Sequence, residues 1–64
     1  MFAWRYLDDS GDEIGSSAQF DDREDAESWI GESWSDLRER GVEEVVLMDV
    51  ARGVRLYRMG LSEG

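Results

Sequence analysis

The feature that most constrains this chain is that its 64 residues include no cysteine and no histidine. A domain of this size buries only about 60% of the surface that its unfolded chain exposes, so small domains often add disulfides or metal ions. Disulfides are excluded here, and a structural zinc site lacks its usual ligands. The fold must therefore depend on oligomerisation or on an apolar core, to which three tryptophans, two tyrosines and two phenylalanines contribute much of the area.

The same absences narrow the possible chemistry. Without histidine, cysteine or lysine, the chain has no ordinary general base near neutral pH, no thiolate nucleophile and no Schiff-base amine. Hydrolysis by a carboxylate pair needs two acids held across a cleft, and a domain this small offers little room for one. We therefore expect a protein that is not an enzyme and that uses no cofactor.

The first residues predict a β-hairpin. Residues 1–7 alternate in a pattern typical of a half-buried strand, with three aromatic side chains on one side. A three-residue loop over residues 9–11, with Gly11 in the left-handed conformation, then places Tyr6 opposite Ile14. This register brings six apolar side chains to one face, whereas a two-residue loop would scatter them. The six are Phe2, Trp4, Tyr6, Ile14, Ala18 and Phe20.

A helix follows the hairpin. Asp21 is a candidate N-cap with Glu24 at the capping-box position, and Gly41 is a candidate for the left-handed residue that ends the helix. Gly31 falls on the outer face of the helix, where it costs about 1 kcal/mol relative to alanine. The inward stripe consists of Ala26, Ile30, Ser33 and Leu37, with Trp29 and Trp34 along its two edges.

A second hairpin completes the chain. Strands over 42–50 and 54–61 flank a three-residue loop, and both of their faces are apolar. We expect the face that carries Val45 to pack under the helix, because Asp49 then pairs with Arg55 across the strands. The opposite, uncovered face of the sheet carries Val46, Met48, Val54 and Leu56, together with Leu7.

These elements predict an α+β fold of β-β-α-β-β order, with one antiparallel four-stranded sheet and a single helix packed on one face. Residues 1–61 are expected to form one domain, and residues 62–64 a frayed tail. Because one helix covers only one face of a sheet, the uncovered face is a candidate surface for a protein partner or for self-association as a homodimer. Strand twist or the terminal tail could instead cover it.

Charge is unevenly distributed in this chain, whose net charge is −9. Residues 8–44 hold fourteen acidic and only three basic side chains. Part of this charge forms an acidic stripe on the predicted helix, which either keeps the protein in solution or docks a basic partner, with DNA mimicry as a special case. Direct binding of nucleic acid is disfavoured by the net charge. The stripe lies beside Trp29 and consists of Asp21, Asp25, Glu32, Asp36 and Glu39.

The turn at residues 8–13 suggests a different function. Its Asp, Ser and Glu side chains offer oxygen ligands for a divalent metal ion such as calcium. The spacing departs from the EF-hand loop, because Glu13 stands where the tight turn requires glycine, and the same residue types are favoured in turns for backbone reasons. A small ligand-binding or metal-binding domain is therefore the alternative to a protein-binding one.

Three segments carry a resemblance to a known group of proteins: residues 4–8, residues 41–45 and residues 56–61. On the basis of these segments, the chain resembles short, uncharacterised acidic proteins of high-GC actinobacteria. The resemblance covers nearly the whole chain. The resemblance implies a stand-alone cytoplasmic protein, agrees with the use of arginine for all seven cations, and brings no site residues with it. The lack of a signal-like N-terminus and of a long apolar run predicts the same localisation.

Overall fold

The computed structural model describes residues 1–61, which form four strands and one helix. The strands make a single antiparallel sheet with the helix packed on one face, which confirms the predicted β-β-α-β-β architecture. The tail expected at residues 62–64 lies outside the described residues. The elements are β1 (Phe2–Leu7), β2 (Glu13–Ser16), α1 (Arg23–Glu39), β3 (Glu44–Asp49) and β4 (Val54–Gly60).

The strand order places β1 and β3 at the centre of the sheet. The order is β2-β1-β3-β4, and β1 pairs antiparallel with both β2 and β3. In this order β2 and β4 are the two edge strands. The helix carries the chain from β2 across to β3. The central pair accordingly supplies the largest fully buried side chains, Trp4, Val45 and Leu47. Full burial of side chains of this size stabilises a fold by about 2 kcal/mol each.

The first hairpin has the predicted loop but a different register. The Asp8 N–H donates to the Asp12 carbonyl at 2.9 Å, and Gly11 has a φ of 86°, as a loop over residues 9–11 requires. A β-bulge then shifts the pairing by one residue, so that Tyr6 lies opposite Gly15. The predicted pairing of Tyr6 with Ile14 is therefore wrong. Ile14 is the extra residue of the bulge and is 50% exposed.

Contacts beyond the bulge explain why the shifted register is preferred. A Cβ atom on Gly15 would lie only 3.2 Å from Cδ2 of Tyr6, so glycine allows the tyrosine ring to lie against the strand. Further along, Phe2 and Phe20 exchange two main-chain hydrogen bonds of 2.8 and 2.7 Å. Phe20 thereby packs against the core, whereas Ala18, which was predicted to lie there, is exposed.

The helix begins one residue later than predicted and ends as predicted. Its N-cap is Asp22 rather than Asp21, and within residues 1–61 the Asp22 side chain makes no capping hydrogen bond. At the other end Gly41 has a φ of 98°, its N–H donates to the Arg38 carbonyl at 3.1 Å, and the Val42 N–H donates to the Leu37 carbonyl at 3.1 Å. These two bonds define a Schellman motif.

The inward stripe of the helix is confirmed at its apolar positions. Ala26, Ile30 and Leu37 are buried in the core. Trp29 packs against it from one side, with its ring 5.6 Å from that of Phe20. Trp34, on the other side, remains 38% exposed. The helix therefore lies over the sheet asymmetrically, and its backbone approaches β1.

The second hairpin also contains a bulge. Its loop has four residues rather than three, because Asp49 lies opposite Val54, and Leu56 is the extra residue between Tyr57 and Arg55. The predicted pairing of Asp49 with Arg55 is therefore wrong. The prediction that the Val45 face packs under the helix is confirmed, since this face supplies Val45, Leu47, Tyr57 and Met59 to the core.

Candidate partner-binding surfaces

The acidic stripe is exposed along its whole length, as predicted from the sequence. All five carboxylates are on the surface of α1 or the segment before it, on the side of the helix away from the buried stripe. Four ion pairs occur within residues 1–61, and none of them includes a residue of the acidic stripe. Its negative charge is therefore not compensated within this part of the chain. Trp29 lies beside the stripe and is half-buried.

The uncovered face of the sheet is less apolar than predicted. Val46, at its centre, is only 4% exposed, although no helix covers it. Long charged side chains surround it, and two of their ion pairs join Arg5 to Glu13 at 3.3 Å and Arg58 to Glu44 at 3.6 Å. The aliphatic parts of such side chains shield apolar neighbours from water while the charges stay hydrated. They form a depression of about 300 Å³, lined by Arg5, Leu7, Gly11, Glu13, Glu44, Val46, Met48, Arg55 and Arg58.

The bulge in β4 changes which of its residues reach the uncovered face. Val54 lies opposite Asp49 and is therefore on the helix side of the sheet, like the pairs formed by Val45 and Leu47. Arg55 lies opposite Met48, on the uncovered face. Val54 and Leu56 are both exposed, but neither lines the depression around Val46. The prediction that Val46, Met48, Val54 and Leu56 form one apolar patch is therefore wrong.

A groove between the helix and β4 was not predicted from the sequence. It has a volume of about 430 Å³ and runs along the side of α1 opposite to Trp29. It exists because α1 packs over the centre of the sheet and leaves the edge strand partly uncovered. The only sequence signal for it is Gly31, a glycine inside a helix with no evident reason to be there. We call it the α1–β4 groove; it is lined by Glu27, Ile30, Gly31, Trp34, Tyr57, Met59, Gly60 and Leu61.

Tyr57 lies in the wall of the α1–β4 groove and has a perturbed environment. Burial raises the pKa of its hydroxyl, and the nearby negative charge of Glu27 raises this pKa further. Arg23 acts in the opposite direction, with its guanidinium carbon 5.3 Å from the centre of the Tyr57 ring. Arg23 also forms an ion pair of 3.2 Å with Glu27. Glu27 and Tyr57 line the groove, and Arg23 contacts both of them.

The acidic turn at residues 8–13 uses one carboxylate for its own structure. Oδ1 of Asp8 accepts hydrogen bonds from the N–H of Ser10 at 2.9 Å and from the N–H of Asp12 at 3.0 Å. This is the arrangement by which aspartate stabilises turns. Among residues 1–61, no three acidic side chains are placed so that they could hold a metal ion. Backbone geometry thus explains the aspartate at position 8.

Comparisons with known proteins add no relatives: no family model, curated protein or solved structure matches this chain. Within residues 1–61, no helix is both long and apolar enough to cross a bilayer.

Proposed function

We propose that this protein is a small, non-enzymatic binding module and that the acidic stripe on α1 docks a basic surface of a protein partner. The observation that carries this proposal is the set of five exposed carboxylates with no ion pair inside residues 1–61. Charges of this kind mainly accelerate association and select the partner by its sign.

The charges of the helix support a basic partner rather than an acidic one. Between Arg23 and Glu39 the helix carries six acidic and two basic side chains. One of the two basic residues, Arg23, is already paired with Glu27. A partner rich in lysine or arginine would therefore meet carboxylates that are free to form new ion pairs.

Trp29 gives the acidic stripe an apolar neighbour. Its ring packs on Phe20 and is half-buried, so its position is held by the core while part of it faces solvent. Aromatic residues are enriched among the side chains that contribute most to protein interfaces. The aliphatic stem of a lysine or arginine from the partner could contact this ring while its charge pairs with Asp25 or Glu32.

A charge-reversal experiment tests the proposal. The double variant Glu32→Lys with Asp36→Lys reverses the charge in the middle of the stripe. Positions 32 and 36 carry like charges both before and after the change. The matched control, Asp9→Lys with Asp12→Lys, changes the net charge equally at exposed turn positions. Binding of a lysine-rich peptide would be measured by titration calorimetry at several salt concentrations.

We expect the stripe variant to bind the peptide about tenfold more weakly than the control variant, since two lost charge pairs contribute up to about 1 kcal/mol each. The affinity of the parent protein should also fall as salt increases. Equal weakening in both variants would show that the peptide responds only to net charge, and the proposal would then be wrong.

Metal or small-ligand binding at the acidic turn is not favoured as a second function. The Asp8 carboxylate is engaged by two main-chain N–H groups of the turn itself. Binding of calcium to the folded protein would raise its melting temperature in proportion to metal concentration. A rise that Asp12→Asn and Glu13→Gln abolish would revive this alternative.

A further inference from the structure

The α1–β4 groove lies beside an open edge of the sheet. Within residues 1–61 no strand pairs with β4 on the side away from β3. The Leu61 N–H donates to the Glu43 carbonyl at 2.8 Å, which identifies Leu61 as a residue whose main chain faces β3. Because antiparallel hydrogen bonding alternates along a strand, the main-chain groups of Arg58 and Gly60 face outward. They are free to pair with another strand.

The two sides of this edge differ in chemistry. Tyr57 and Met59 line the groove on the helix side of the sheet. Arg58 lies between them in sequence and points to the uncovered face, opposite Val46. A strand added to this edge would therefore have one side facing an apolar groove and the other side facing an arginine.

We propose that β4 and the α1–β4 groove bind an extended segment of a partner protein in which two apolar residues flank an acidic one. The segment adds to the sheet as a fifth strand, antiparallel to β4, and its acidic residue lies opposite Arg58, with which it exchanges two main-chain hydrogen bonds. Its apolar neighbours lie opposite Tyr57 and Met59. These are non-hydrogen-bonded pairs, in which side chains approach most closely.

Charge complementarity specifies the acidic residue. Nε of Arg58 lies 3.6 Å from the Glu44 carboxylate, which leaves other N–H groups of the guanidinium available to a second carboxylate. Arg55 lines the same depression and forms no ion pair within residues 1–61. A lysine at this position of the partner would instead face two like charges.

The acidic stripe acts only weakly at this edge. It lies on the other side of α1 from the groove, in a molecule whose principal extents are 28, 22 and 19 Å. The Debye length at physiological salt is about 8 Å, so charges across the molecule are largely screened. The nearer carboxylates, Glu13, Glu27 and Glu44, are each paired with an arginine, so we infer that Arg58 and Arg55 set the charge preference at the β4 edge. Since the groove and the stripe lie on different surfaces and select opposite charges, this proposal is independent of the proposed function.

Gly31 supports a role for the groove. A Cβ atom at this position would meet no other heavy atom within 4 Å, and the backbone is ordinary helix. Neither packing nor conformation thus requires glycine, which costs about 1 kcal/mol relative to alanine in a helix. Its position in the wall of the groove supplies a reason, because a larger side chain there would occupy the space that a partner's apolar residues need.

The test uses four capped peptides and three forms of the protein. The peptides are acetyl-Ser-Val-Glu-Val-Ser-amide, the same peptide with Lys in place of Glu, one with Thr in place of Glu, and the Glu peptide methylated at the nitrogen of Glu. Methylation removes one donor of the added strand and leaves the side chains unchanged. The proteins are the parent, Gly31→Leu, which fills the groove, and Gly31→Ala, which leaves it open. Binding is followed by amide chemical shifts of the ¹⁵N-labelled protein.

We expect the Glu peptide to shift the amides of Arg58 and Gly60 in the parent and in Gly31→Ala, and to bind Gly31→Leu at least about fivefold more weakly. Methylation should weaken binding about fivefold or more, which corresponds to one lost hydrogen bond. The Lys peptide should bind more weakly than the Thr peptide, which in turn should bind more weakly than the Glu peptide.

Four results would overturn the proposal. Binding that survives methylation would mean that the segment does not join the sheet. A Lys peptide that binds as tightly as the Glu peptide would contradict the assigned charge. In the absence of peptide, the chemical shifts of the β4 amides could change with protein concentration. Such a change would show that a second copy of the chain occupies this edge. A shift confined to the acidic stripe would also count against it.

Discussion

The indole N–H of Trp4, on the central strand β1, donates a 2.8 Å hydrogen bond to the main-chain carbonyl of Ala26 in α1. Both residues are completely buried. This bond joins the sheet to the helix across the core and holds the helix over β1. The position of the helix in turn leaves the α1–β4 groove open and determines where the acidic stripe lies.

Trp4→Phe should lower the free energy of unfolding by about 2 kcal/mol, because it removes this hydrogen bond and leaves a cavity where the indole was. Urea denaturation followed by circular dichroism measures the change. The T-shaped contact between Trp4 and Tyr57, whose ring centres are 5.8 Å apart, adds to the loss. A stability equal to that of the parent would show that the helix does not depend on Trp4.

Two glycines of the helix region should respond in opposite ways to alanine. Gly31→Ala should raise the free energy of unfolding by up to about 1 kcal/mol, because the new methyl group meets no neighbour and alanine favours the helix. Gly41→Ala should lower it by about 1 kcal/mol, because Gly41 has a φ of 98°. Thermal denaturation of both variants beside the parent tests the pair. A Gly41→Ala variant at least as stable as the parent would contradict the assigned end of the helix, and a Gly31→Ala variant less stable than the parent would contradict the open surroundings of Gly31.

Asp8 should contribute more to the first hairpin than its neighbour Asp9. Asp8→Ala removes the acceptor of two main-chain N–H groups and should cost about 1 kcal/mol of unfolding free energy. Asp9→Ala is the matched control at an exposed position of the same turn and should change stability by less than about 0.5 kcal/mol. Chemical denaturation of the two variants gives the comparison. Equal effects would indicate that the turn does not use the Asp8 carboxylate.

The two tyrosines should make stability depend on pH in alkaline solution. Burial raises the pKa of both Tyr6 and Tyr57 above the usual value of 10.0, with Arg40 opposing the shift at Tyr6. Their contribution to stability is fully present below the unfolded-state pKa and is lost as pH rises through the folded-state pKa. The chain has no lysine, histidine or cysteine to obscure this effect. Melting temperatures above pH 9 should fall less steeply in Tyr57→Phe than in the parent.

Two features of the structure disfavour self-association through the uncovered face. Val46 is shielded by charged neighbours, and two copies of the chain would each bring a net charge of −9. We therefore expect light scattering to give the mass of a monomer at every concentration. A dimer that Met48→Glu converts to a folded monomer would restore the homodimer interpretation.

Local signals explain which parts of the fold could be predicted. The aromatic alternation of residues 1–7 and the sequence around Gly41 each depend on a few adjacent residues, and the structure confirms both. The two bulges could not be predicted in this way. One depends on the Tyr6 ring packing against Gly15, and the other brings Arg55 opposite Met48, so both follow from contacts between strands.

The candidate surfaces divide in the same way. The acidic stripe follows from helical periodicity, and its residues could be named from the sequence. The uncovered face was only partly predicted, because a shift of one residue in β4 replaced apolar side chains with arginine. The α1–β4 groove was missed, since its walls come from segments that are distant in the chain.

The sequence by itself determined the order of the elements, the identity of the buried helix face and the concentration of negative charge on the opposite face. These properties depend on the spacing of residues along one element, which is independent of what the element packs against. Only the tertiary structure decided the strand order, the two shifts in register and the position of α1 over β1. Each of these three features is the outcome of competition between alternative packings of the same side chains. The shielded centre of the uncovered face and the open groove beside β4 both follow from these features.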